Sequence, residues 1–222
     1  MLIHDRAAYP VADDIMTALG KSSPASFGHH LEGGIVGGGI RHLAGAQHMV
    51  GRAATLDLPL PDGIPLHLAL DHIEPGDVVV IAKGGDDKFA SVGEMTARMS
   101  AAKGAAGFVV DGSVTDIREL REIGLPVYAK SLSVATHRPL NLSRAELFGT
   151  VSVGGVVIRA DDIILGDENG LIVLDPAMPN LPALVRRCIA DEEREVVWRE
   201  RLSSGVALSE LSNARTIAAK KS

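Results

Sequence analysis

The chain has only one cysteine, Cys188, in 222 residues. A lone thiol makes neither an internal disulfide nor a zinc cluster of cysteines, so the fold has to stand on packing. In its helical surroundings Cys188 reads as a small hydrophobe. Aromatic residues are also scarce, at 3%. The core must therefore come from many Val, Ile, Leu and Ala contacts, and oligomerisation would help bury such surface. Positive charge is lacking too: the formal net charge is −6, which excludes a broad attraction to nucleic acid or to an anionic membrane. No run of about 18 apolar residues occurs, so no membrane-spanning helix is expected. The opening "MLIHDRAAYPVADD" lacks a basic stretch leading into an apolar one, so no signal peptide is expected and a cytoplasmic location follows.

Two motif absences matter as well. The glycines between Gly33 and Gly39 have no strong strand before them and no Lys-Ser/Thr after them, so they read as turns and bulges rather than a phosphate loop. No histidine pair has His-Glu-x-x-His spacing. His29, His30, His42, His48, His67 and His72 read as structural. His137, after the third core strand, is the histidine best placed to act as a ligand or base.

What is present is an alternation of strands and helices. "VADDIMTALGK" is a short amphipathic helix with Val11, Ile15, Met16 and Leu19 on one face. A strand runs near Val50 to Leu58. "EPGD" is a turn, and "VVVIA" is a β-branched run typical of a strand buried on both faces. "SVGEMTARMSAAKG" reads as a helix opened by a Ser91–Glu94 capping box, with Met95 and Met99 on one face and Gly104 as its stop. "AAGFVVDG" is a second buried strand, "TDIRELREIG" a helix, and "LPVYAKS" a third strand. The result over residues 77 to 131 is a βαβαβ segment with a parallel sheet. Ligands bind beyond the carboxyl ends of such strands. "GTVSVGGVVIRADDIILGDENGLIVLDP" looks antiparallel, and an amphipathic C-terminal helix follows from about residue 178.

Glu94 and Asp116 then start the helices that follow two neighbouring strands, which puts both on one sheet edge. Two readings of the pair are open. Each completes or caps its own helix, or together they form a site in which one carboxylate and several waters hold a hard divalent cation, with helix N-terminal amides beside it to take a substrate carboxylate.

The stretch "GGDDKFASVGEMTARMSAAKGAAGFVVDGSVTDIRELREIGLPVYAKS" resembles the RraA-like family, and the likeness extends over most of the chain. That family includes class II pyruvate aldolases acting on 4-hydroxy-4-methyl-2-oxoglutarate and 4-carboxy-4-hydroxy-2-oxoadipate, and a regulator of ribonuclease activity. Its most specific motif is an acidic residue, twenty intervening residues and Arg-Asp. Here it reads Glu94, twenty residues, Thr115-Asp116.

The resemblance implies a single α/β domain, an α/β/β sandwich of the swivelling-domain type with a C-terminal helical extension. It also implies trimers or hexamers and a small carboxylate substrate. Asp116 would bind Mg²⁺ or Mn²⁺, Glu94 would hold metal-bound water, and the turn Gly93, Met95 and Thr96 would receive the substrate carboxylate. The reaction implied is aldol cleavage or decarboxylation through a metal-stabilised enolate. The alternative is a regulatory, protein-binding role without catalysis. Thr115 stands where the aldolases have arginine, and a neutral hydroxyl does not replace a guanidinium. Lys83, Lys130 and Arg118 are the candidate substitutes, with Lys83 and Lys130 at strand ends on the site edge. Glu192, Glu193 and Glu195 are candidates for a base that reaches a neighbouring subunit.

Overall fold

The computed structural model describes residues 1–6, 11–141 and 144–219. Its first half contains β1 (Leu2–Ile3), α1 (Asp13–Leu19), α2 (Pro24–Gly28), β2 (Ile35–Val36), β3 (Arg41–Ala44), β4 (Met49–Asp57) and α3 (Ile64–Leu70). The central segment follows as β5 (Asp77–Ala82), β6 (Ala90–Val92), α4 (Glu94–Ala102), β7 (Gly107–Val114), α5 (Ile117–Ile123) and β8 (Val127–Leu132). Then come the short β9 (Glu146–Leu147), β10 (Val151–Val153), β11 (Val156–Ile158), β12 (Ile163–Asp167) and β13 (Gly170–Leu174). Three helices end the chain: α6 (Leu181–Ser203), α7 (Leu208–Leu211) and α8 (Ala214–Ala219).

The main sheet runs β2-β13-β12-β4-β5-β7-β8-β3. Its middle, β4-β5-β7-β8, is parallel, as the βαβαβ pattern predicts. The late β-region is antiparallel, with β12 paired to both β13 and β4. Alternating residues of the central strands face opposite sides, as the pleat requires. Leu56, Ile81, Phe108 and Val110 join one core with Leu66 of α3, Ala97 of α4 and Leu120 of α5. Val80, Val109 and Tyr128 face the other way, against Val153 and Ile158 of the β10–β11 hairpin. A third cluster packs Ile15, Leu19 and Phe27 on Ile163, Leu165 and on Val185 and Cys188 of α6. The first turns of the C-terminal helix therefore pack on their own chain. Cys188 is fully buried, and burial pushes its thiol up to about 11, the inert small hydrophobe expected.

Two local expectations fail for physical reasons. The Ser91–Glu94 capping box does not form, because Ala90–Val92 is a strand paired to β7 and Gly93 is the N-cap of α4. Thr96 does the reaching back instead, its Oγ1 accepting from the Gly93 amide at 3.0 Å. The Met95/Met99 face of α4 points outward, at 66% and 41% exposure. Thr96, Ala97 and Ser100 face inward, since only small side chains let this helix sit close to the sheet.

Candidate active site

A cleft of about 370 Å³ opens at the carboxyl ends of the parallel strands. One part of its wall is the turn from β6 into α4, Ser91 to Thr96; next to it is the junction of β7 and α5, Thr115 and Asp116. Residues 136–139 of the coil after β8 form another part, with Gly63, the N-cap of α3, and His67 in that helix's last turn. The bulge between Val110 and Ser113 in the β7–β8 pairing lets β7 run on to Val114, which delivers Asp116 to the rim.

Asp116 occupies the N-cap position of α5 in the left-handed region, φ 54°, where Asp and Asn are tolerated best. Its side chain does not cap its own helix. It accepts instead from the Glu94 amide, Oδ2 to N at 2.9 Å, and so bridges the starts of two helices. Glycine is required at 93 for this approach: a Cβ there would lie 2.5 Å from Asp116 Oδ2 and 2.9 Å from Thr115 Cγ2. The other carboxylate oxygen, Oδ1, has among the described residues only a 3.4 Å contact from the Thr115 hydroxyl. The Glu94 carboxylate is taken by Arg98 at 2.8 Å, one helical turn on. The Met95 and Thr96 amides belong to the first turn of α4, where no intrahelical acceptor exists, and both residues line the cleft. Ser91 Oγ is buried without a hydrogen-bond partner among the described residues, and its residue also lines the cleft.

The structure thus brings together Glu94, Gly93, Met95, Thr96, Thr115 and Asp116. It keeps Lys83 apart. Lys83 is fully buried, and its ammonium has three acceptors for its three protons: Asp86 Oδ2 at 3.2 Å, the Phe89 carbonyl at 3.2 Å and His137 Nε2. Burial pushes this ammonium below the usual lysine range, against the pull of Asp86. Lys130 is spent on Asp111 at 2.7 Å and Asp87 at 3.3 Å. Glu192 is also engaged, accepting from the Ser23 amide and the Ser26 hydroxyl, and Glu193 and Glu195 line a different cleft beside α1 and α2. Neither Ser91 nor Arg138 was legible as a cleft residue: Ser91 read as a helix cap, and residues 133–140 carry no period that would show them returning over the strand ends.

His137 connects the buried lysine to the cleft wall. The Lys83 ammonium makes Nε2 the acceptor, which leaves the ring proton on Nδ1. Burial, then the Lys83 charge, hold the imidazole down to about 4, against the opposing pull of Asp86 and Asp62. Between about 6.5 and about 4 the unfolded chain takes up a proton that the folded chain refuses. Stability therefore falls on acidification through that window, by roughly 3 kcal/mol at most. His137→Gln keeps an acceptor but cannot titrate. The expected result is a urea midpoint that drops less between pH 7 and pH 4.5 in this variant than in the wild type; equal drops would show that His137 is not the group responsible.

Comparison with known proteins decides the family. A family model described as RraA-like, Aldolase/RraA, matches residues 11–173. The chain belongs to the RraA-like family. A 4-hydroxy-4-methyl-2-oxoglutarate aldolase of Thermus thermophilus is 30% identical over 147 residues, 66% of this chain and 85% of the relative. A protein of Halalkalibacterium halodurans, provisionally named for the same activity, is 31% identical over 155 residues, 69% of this chain and 73% of the relative. Among solved structures, the RNA-processing inhibitor RraA of Thermus thermophilus matches with a TM-score of 0.60 at 28% identity, over 66% of this chain and 88% of that one. An uncharacterised protein of Pseudomonas syringae pv. tomato matches at 0.76 over 91% and 98%, and at 22% identity it attests the fold. In this RraA-like chain the mixed sheet agrees with those structures.

Proposed function

We propose that this RraA-like protein is a divalent-metal-dependent carbon–carbon lyase acting on a small 2-oxo acid, by aldol cleavage or decarboxylation. The observation that carries the reading is the Asp116 carboxylate, held at the cleft by the Glu94 amide with one oxygen nearly free. The residues present fit a hard cation such as Mg²⁺ or Mn²⁺. No group of three or more His, Cys, Asp or Glu side chains is assembled for a metal among the described residues. An ion held there would keep several waters and take one carboxylate plus substrate oxygens. Asp116 would hold it, with Glu94 placed to orient a bound water. Such an ion supplies Lewis-acid stabilisation of the charge that develops as the bond breaks.

The chain's own residues supply the rest. The Met95 and Thr96 amides, at the positive end of α4, receive the substrate carboxylate. Oxaloacetate is the most direct test, because its decarboxylation needs no base: the C3–C4 bond breaks, CO₂ leaves, the electron pair delocalises toward the C2 oxygen, and water returns a proton to C3. The expected result is pyruvate release from oxaloacetate and from 4-hydroxy-4-methyl-2-oxoglutarate with added Mg²⁺ or Mn²⁺, abolished by a chelator. No turnover of either with either ion would overturn the reading.

Thr115 favours a second reading, a regulatory member that binds protein and performs no chemistry. Loss of a fixed charge at a developing anion costs about a hundredfold or more in rate, and the Thermus thermophilus structure is named for inhibition of RNA processing. Absence of turnover together with recovery of ribonuclease components in a pull-down would favour it.

A further inference from the structure

Among the described residues, Arg138 is the one arginine or lysine that lines the cleft, and the cations nearest it in the fold are taken. Lys83 is buried under three acceptors, Lys130 is held by two carboxylates, and Arg98 is paired to Glu94. Arg138 lines the cleft, and its side chain makes no ion pair or hydrogen bond among the described residues. Its backbone, by contrast, is fastened. The Arg138 carbonyl accepts from the Gly63 amide at 3.0 Å, its amide donates to Pro61 at 3.4 Å, and the preceding His137 amide donates to Ala90 at 3.0 Å. An exposed guanidinium therefore springs from a fixed point between β6 and α3, so less chain freedom is lost when it binds a ligand.

We propose that Arg138 is the residue that binds the distal carboxylate of the substrate, and that it sets the preference of this cleft for a dicarboxylate over a monocarboxylate 2-oxo acid. The inference rests on the 2-oxo acid reading of the same cleft. Thr115 contributes no charge to the cleft and Arg98 is taken up by Glu94, so the Arg138 guanidinium is the side-chain cation placed to meet a second carboxylate of the ligand. The planar guanidinium fork matches a carboxylate with two parallel hydrogen bonds, which an ammonium does not reproduce. Arg138 comes from the coil after β8, a different segment from the α4 amides, so the two ends of one ligand are held by separate parts of the cleft wall.

The test is isothermal titration of the full chain with Mg²⁺ present, using pyruvate and the non-reacting dicarboxylate 2-oxoglutarate. Wild type is expected to bind 2-oxoglutarate the more tightly. Arg138→Ala should weaken 2-oxoglutarate by about 10- to 100-fold and leave pyruvate within about twofold, and Arg138→Lys should recover only part of the loss. The side chain has no partner among the described residues, so an unchanged melting temperature is expected in both variants. Equal binding of the two ligands by wild type, or a variant that weakens both alike or neither, overturns the inference; so does a wild type that binds neither. Discrimination by Arg138 without turnover of any oxo acid would sink the lyase reading and leave the dicarboxylate site standing. Turnover with an unchanged dicarboxylate preference in Arg138→Ala would do the reverse.

Discussion

Asp116→Asn is expected to lower turnover of a 2-oxo acid by about a thousandfold while leaving the fold in place. Asparagine has the same shape, its carbonyl can still accept from the Glu94 amide, and it is one of the few residues that tolerates the left-handed backbone at φ 54°. The variant therefore keeps the bridge between the starts of α4 and α5 and removes only the negative charge. Alanine would be less informative, since it would leave the Glu94 amide unpaired and strain the junction. The measurement is kcat against Mn²⁺ concentration for wild type and variant, with thermal melting as the check on folding. Recovery of wild-type kcat at high Mn²⁺ would reduce Asp116 to an affinity determinant, and unchanged kinetics at all concentrations would remove it from the site.

The largest effect on stability is expected at the other end of the strands. Arg6 forms a two-pronged pair with Asp77, at 2.8 and 2.9 Å, and bonds Asp161 Oδ1 at 2.6 and 3.0 Å. Asp77 is 0% and Asp161 2% exposed. The Arg6 guanidinium also lies 4.9 Å over the Phe148 ring. Burial by itself would disfavour the charge on Arg6, but the hydrogen bonds and charges of Asp77 and Asp161 outweigh it and hold the guanidinium more firmly protonated. Arg6→Ala takes the guanidinium from two buried carboxylates and leaves Asp77 only the longer 4.0 Å contact to Arg52 as counter-charge, at a cost of about 3–5 kcal/mol. In a chain of this size that is a fall in melting temperature of roughly 10 °C. Because Asp77 begins β5 at the end remote from the cleft, kcat at low temperature should hold. A urea midpoint unchanged in Arg6→Ala would show that the clasp contributes nothing net.

The sequence made the centre of the fold legible because its signals there are local and periodic. The β-branched run of β5, the apolar run of β7 and the helix between them each announce themselves. Parallel order then forces Glu94 and Asp116 to one edge, and the structure indeed places the amide of one against the carboxylate of the other. What was not legible depends on distance or on elements too short to have a period. Three residues of β6 displaced a plausible capping box. The Met95/Met99 face looked like a packing stripe, yet the sheet accepts only the small face of α4. Lys83 looked like a cation at a strand end, and nothing local shows that Phe89 and His137 enclose it. Arg6 finds partners 71 and 155 residues away, beyond any pattern of spacing.

The enclosure of Lys83 has a consequence for how the cleft keeps its shape. Acceptors from the 86–89 loop and from His137 converge on one tethered ammonium, as oxygens converge on a bound potassium ion. The chain thus carries its own internal counter-ion, which reinforces the single β-bridge, Ala90 to Thr136, that joins these two stretches. Arg138 follows the second of these stretches directly. Loosening that coordination would act at a distance from the reacting centre, by letting the residue next to His137 wander from the position that its backbone bonds define.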